Sequence, residues 1–186
     1  MITTKLYEKD TFTQRQAFEK DYKLRVRKLL QELNPGRLIR EASSHEDRKL
    51  ATDWVVEADN LSCIINIASR GRDYKEAYRN YLGQFTIRLG YPNAYIVTEY
   101  AKIMEGNGDQ FLYYWRDKAA GGHLVLWHLL DLNVFRKEAE KVISDRRIKP
   151  QQNSRLKGGE SFYPFNFDYF SKELVLAKYD MAQPPY

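Results

Sequence analysis

Cysteine is almost missing from this chain, which has one, Cys63, among 186 residues. A lone thiol excludes an intramolecular disulfide framework and a cysteine-built zinc site, and it predicts a reducing, cytoplasmic setting rather than secretion. Histidine is scarce too: His45, His123 and His128 show no HExxH or paired-ligand spacing, so zinc hydrolysis has no motif to rest on. Long apolar runs are lacking. The longest, Leu124 to Leu132, is broken by His128 and Asp131, and Met1-Ile-Thr-Thr-Lys5 is not a charged leader before an apolar core. The sequence therefore predicts neither a membrane span nor a signal peptide. No P-loop, GxGxxG or GxSxG occurs, because Gly106-Asn-Gly108-Asp109 lacks the third glycine and the following helix. Repeats and low-complexity segments are absent as well.

What is present is a single domain's worth of chain with a small positive excess, 30 Lys+Arg against 25 Asp+Glu. The charge is uneven. Residues 14–49 carry ten basic and six acidic side chains, residues 50–135 eight and ten, and residues 136–157 eight and three. Basic flanks around an acidic middle suit a protein that gathers a polyanion at its rim and keeps carboxylates at its centre, although solvated helix faces give the same pattern.

The order of elements reads as α+β. Thr11-Phe-Thr-Gln14 has capping-box spacing, and Phe18, Tyr22, Val26, Leu29, Leu30 and Leu33 recur at helical steps until Asn34-Pro35-Gly36 stops the helix. Arg37 to Ala42 reads as a short strand and Ser44-His-Glu-Asp47 as a second helix start. Trp54 to Glu57 and Leu61 to Ile67 form a predicted β-hairpin about an Asp59-Asn60 turn. The polar stretch Ser69 to Gly83 reads as a short helix or ordered loop, and Gln84 to Arg88 as a strand. A helix capped by Thr98, a strand pair at Phe111–Trp115 and Leu124–Leu130, and a helix from Val134 to about Ser144 follow. Residues 145–159 read as a basic linker. Phe162 to Phe170 packs six aromatic residues into nine, a density that predicts docking on the body or on a partner. The expected architecture is thus one α+β core over residues 1–144, a mainly antiparallel or mixed sheet of about five strands flanked by helices, with residues 145–186 forming the linker and a docked aromatic tail.

Cys63, among Leu61, Ile64 and Ile65, reads as a small buried hydrophobe. Asp53, at the mouth of the hairpin, is the one candidate with a chemical context. The run Thr52-Asp-Trp-Val-Val-Glu-Ala-Asp-Asn-Leu-Ser-Cys-Ile-Ile-Asn-Ile-Ala68 resembles the core signature of the PD-(D/E)XK nuclease superfamily, in which an aspartate opens one strand and a Glu-x-Lys lies on the next. The order of elements over residues 14–115 is similar, but the best register puts Asn66 and Ala68 where the family has its glutamate and lysine. The resemblance implies a nucleic-acid-binding protein, either a Mg²⁺-dependent nuclease whose site is displaced or a degenerate relative that does not cut. Some members of that superfamily move the missing groups onto a neighbouring helix, and Glu99 and Lys102, at i and i+3, could stand in for them. Asp53 and Glu99 would then hold Mg²⁺ while Lys102 offsets charge on the scissile phosphate. Equally, Glu99 is a first-turn acid favoured by the helix dipole and Asp53 a turn residue.

Arg70, Arg72, Arg79 and Arg88, interleaved with Tyr74, Tyr78, Tyr81 and Tyr91, are candidate phosphate-binding forks, as are Arg146 and Arg147 on the C-terminal basic flank. Tyrosines at helical spacing with arginines snorkelling past them would look the same. The competing class is a protein-interaction module, a small inhibitor or adaptor of the kind phages and mobile elements carry, since Tyr and Arg also mark protein interfaces. Homodimerisation through the aromatic tail is a third expectation.

Overall fold

A computed structural model describes residues 22–58, 63–74, 81–90, 98–117, 123–152 and 161–180. The proposed capping box at Thr11, the Asp59-Asn60 turn, Arg79, Tyr78 and Tyr91 lie outside them.

Helix α1 (residues 22–33) turns Val26, Leu29 and Leu30 inwards, and the side-chain amide of Asn34 donates to the Leu30 carbonyl at 3.0 Å as the helix closes. Gly36, at φ 74°, makes the reversal that its lack of a Cβ permits. Strand β1 (Leu38–Glu41) leads to α2 (Ser44–Leu50), whose cap is a reciprocal box. The Ser43 hydroxyl accepts from the Glu46 amide, and the Glu46 carboxylate accepts from the Ser43 amide at 2.7 Å. The Arg40 guanidinium also grips Glu46 and Glu57, each at 2.8 Å, tying α2 to the sheet and holding the Glu46 carboxyl down at about 2. Ala51, left-handed at φ 48°, ends α2 and aims the chain into β2 (Trp54–Glu57).

Strand β3 (Ile64–Asp73) is longer than the hairpin pattern predicts. It runs on to Asp73, where the sequence reads as helix or loop, because β5 (Gln110–Asp117) lies parallel to it and pairs from Ile67↔Gln110 to Asp73↔Arg116. That partner is distant in sequence, and its hydrogen bonds outweigh local polarity. Between them come β4 (Gln84–Gly90) and α3 (Glu99–Met104), the crossover that a parallel pair requires. Strand β6 (His123–Asp131), α4 (Leu132–Arg146), β7 (Gln151–Gln152) and β8 (Ser161–Asn166) follow, and after two 3₁₀ turns, Phe167–Tyr169 and Lys172–Leu174, comes β9 (Val175–Asp180).

The strands form a six-stranded mixed sheet in the order β1-β2-β3-β5-β6-β9 and a second sheet in the order β4-β8-β7. The fold is α+β. Strand β5 is buried on both faces: Phe111, Tyr113 and Trp115 join the larger core with Phe85, Ile103, Phe135 and Phe165, while Leu112 and Tyr114 join the smaller core with Val26, Leu30 and Trp54. The aromatic segment does more than dock. Its strand β8 pairs with β4, β9 extends the main sheet at β6, and Phe165 stacks on Phe85 at 5.4 Å with both rings fully buried. No helix among the described residues is long and apolar enough to cross a membrane.

Candidate functional site

Asp53 sits where β2 begins, one residue before the ladder to β3 starts. Its amide donates to the Ile67 carbonyl at 2.9 Å, its carbonyl accepts from the Ala42 amide at 2.9 Å, and its carboxylate accepts from the Ser69 amide at 2.5 Å. The side chain therefore substitutes for the next rung of the sheet. The preceding Thr52 is buried and donates its hydroxyl to the Leu50 carbonyl at 3.0 Å, which fixes the entry of the chain. Burial is the largest influence on the Asp53 carboxyl and pushes it up to about 6; the nearby charges of Glu99 and Asp47 add to the rise, and the Ser69 amide opposes it. A cleft of about 280 Å³ opens beside it, lined by Tyr22, Lys23, Glu41, Asp47, Trp54 and Ser69 among others.

Glu99 does come into the neighbourhood of Asp53, but its charge is already taken. Its carboxylate accepts from the Arg88 amide at 2.7 Å and pairs with Arg70 at 3.1 Å, and Arg70 is itself only 8% exposed. Thr98 sets this up by capping α3, its hydroxyl accepting from the Ala101 amide at 3.1 Å and presenting Glu99 in the first turn. Lys102 turns elsewhere and donates to the Asp47 carbonyl of α2 at 3.3 Å. Glu99 and Asp47 thus lie within electrostatic reach of Asp53, Arg70 is paired with Glu99, and Lys102 is directed to a backbone oxygen.

On β3, register places Asn66, Ala68 and Arg70 on the same face of the sheet. Ala68 is buried in the larger core. Asn66 is bound to Asp109, whose carboxylate accepts from the Asn66 backbone amide at 2.7 Å and from its side-chain amide at 3.3 Å. Asp109 and the pairing of buried Arg70 with Glu99 are the features that sequence reasoning passed over. A Gly-x-Gly-Asp turn immediately before a strand is the only local hint of the first, and nothing local announces the second.

Compared with known proteins, the chain matches no family model, no curated protein and no solved structure.

The candidate phosphate-binding arginines are divided by the fold. Arg70 is spent on Glu99. Arg72 donates to the Thr86 hydroxyl at 2.6 Å and lies over the Phe162 ring at 6.0 Å, so it fastens β3 to the second sheet. Arg88 is exposed on β4, while Arg146 and Arg147 are exposed at the end of α4, the Arg146 guanidinium over the Tyr169 ring at 5.0 Å. Among the described residues, no group of three or more His, Cys, Asp or Glu side chains is placed to hold a metal ion.

Proposed function

We propose that this chain is a nucleic-acid-binding protein built on a nuclease-like frame whose cutting centre has been dismantled. The observation that carries this reading is the fate of the two β3 positions: Asn66 is committed to Asp109, and Ala68 is enclosed in the core. A magnesium centre would need carboxylates converging on a hard cation. The donor set does not fit that need, because Glu99 is paired with Arg70 and the Asp53 carboxylate is directed to the Ser69 amide. Binding rests instead on exposed basic flanks. Lys28 on α1 and Lys141, Arg146, Arg147 and Lys149 at the end of α4 are open to solvent, as phosphate contacts require.

The test has two parts. Binding to single-stranded and duplex DNA and RNA is expected to weaken by orders of magnitude between about 50 and 200 mM salt if six or more phosphates are contacted. Incubation with Mg²⁺ or Mn²⁺ is expected to leave every substrate intact. Cleavage that Asp53→Asn or Glu99→Gln abolishes would restore the displaced-site nuclease. A second reading, a protein-interaction module, is favoured by one observation: Leu38 and Ile64, 60% and 50% exposed, lie in one cross-strand row through Glu57. Binding through that row would be nearly indifferent to salt.

A further inference from the structure

The second half of α4 and the 3₁₀ turn Phe167–Tyr169 enclose a cleft of about 570 Å³, lined by Glu138, Lys141, Val142, Asp145, Arg146 and Tyr169. It lies apart from the Asp53 neighbourhood, and its composition differs from that of an ordinary solvated helix face in three respects. First, the Arg146 guanidinium lies over the Tyr169 ring, 5.0 Å from its centre, with both residues exposed. A guanidinium beside an exposed aromatic ring offers a cation and a π-face together to a further flat group. Second, the charges differ in availability. Among the described residues no ion pair holds Lys141, Arg147 or Lys149, and one oxygen of Glu138 is directed to the Ser171 amide at 2.9 Å. Third, the chain turns sharply at the cleft's edge. Arg147, left-handed at φ 50°, ends α4 with its amide bonded to the Ser144 carbonyl at 3.2 Å, so that Arg147 and Lys149, both exposed, leave the helix axis directly after the cleft-lining Arg146.

We propose that this cleft is the seat of single-stranded nucleic acid: an unpaired base stacks on the Arg146–Tyr169 platform above Val142, and Lys141, Arg147 and Lys149 take the flanking phosphates. This assignment rests on the nucleic-acid-binding reading above and locates it. A paired base presents no free face to a stacking platform, so the site selects single strands over duplex. Asp145, which also lines the cleft, would accept from an exocyclic amino group, which favours bases that carry one.

The assay is fluorescence anisotropy of labelled 12-nucleotide single strands, with the matching duplex and an acidic peptide of poly-glutamate as competitors. Wild type should prefer the single strand to the duplex at least several-fold. Tyr169→Ala should weaken single-strand binding roughly tenfold while leaving the salt dependence unchanged, and Tyr169→Phe should bind as wild type. Lys141→Ala and Arg147→Gly should each weaken binding and lower the salt slope by about one, with Arg147→Gly tolerated by its left-handed backbone. Thermal melting of each variant verifies that the fold is kept. If all of these variants bind like wild type, the cleft assignment is overturned while nucleic-acid binding stands. If wild type binds no nucleic acid even at low salt, the underlying reading fails with it. Competition by poly-glutamate as effective as by the single strand would overturn the assignment in favour of an acidic protein partner.

Discussion

Replacing Asp53 by asparagine removes one of two titrations that oppose each other between about pH 4.5 and 6. The Asp53 carboxyl is raised from 3.8 to about 6, first by burial and then by the charges of Glu99 and Asp47. In that interval the folded state holds a proton that the unfolded state has lost, so the stability it contributes is complete below about 3.8 and disappears as pH rises through about 6. His128 does the reverse. Burial, with its ring stacked on Phe167 at 4.1 Å and the charge of Lys178 nearby, lowers it from 6.5 to about 4, against a smaller opposing effect of Asp180. Its contribution is complete above about 6.5 and is lost as pH falls towards 4.

Each group alone would tilt stability by at most about 1.4 kcal/mol per pH unit. Both residues are half-buried, so a change of about 1 to 2 kcal/mol apiece over the interval is the appropriate scale, with opposite signs. The wild-type profile should therefore be nearly flat. Glu46, held at about 2, titrates mostly below this range. Asparagine keeps an acceptor for the Ser69 amide, so Asp53→Asn should leave the His128 slope exposed. Stability should rise by about 1 to 2 kcal/mol from pH 4.5 to 6 and exceed wild type by about 2 kcal/mol near neutrality. His128→Gln should show the mirror image, falling over the same interval. Urea unfolding at several pH values, followed by the fluorescence of the buried Trp54 and Trp115, supplies the free energies. An Asp53→Asn profile that simply parallels wild type would refute the assignment of these titrations.

Arg70→Ala should cost about 3 kcal/mol, because it strands the Glu99 carboxylate in a low-exposure site, and the double replacement Arg70→Ala/Glu99→Gln should recover part of that loss in denaturant titration. Gly71→Ala should destabilise by about 1 to 3 kcal/mol, since its methyl would come within 2.5 Å of the Tyr22 and Tyr114 hydroxyls; an unchanged melting temperature would mean that these rings yield. Phe165→Ala should cost about 3 to 5 kcal/mol through the cavity left among Phe85, Phe135 and Phe170, and a calorimetric loss well under this would show that the second sheet collapses around it.

The residues that announce themselves locally were legible without coordinates. The stop at Asn34-Pro35-Gly36, the second helix start beside Ser44, the cap at Thr98 and the β-pattern of Trp54 to Glu57 depend on backbone chemistry within a few positions, and each element stands within a residue or two of its expected place. Asn66 and Ala68 could be read from the sequence as standing where the resemblance to the nuclease superfamily would put a glutamate and a lysine. Tertiary structure decided everything that depends on a distant partner. Strand β3 extends through Arg70 and Gly71 because β5, about forty residues on, offers a parallel ladder. The aromatic tail became strands of two sheets because β4 and β6 each had an open edge to complete. Glu99 and Arg70, 29 positions apart in sequence, neutralise one another because the crossover through α3 sets the first turn of that helix over β3. Spacing records which residues are neighbours along the chain, but a buried ion pair is made by packing, and packing alone determined which carboxylate was left with its charge to spend.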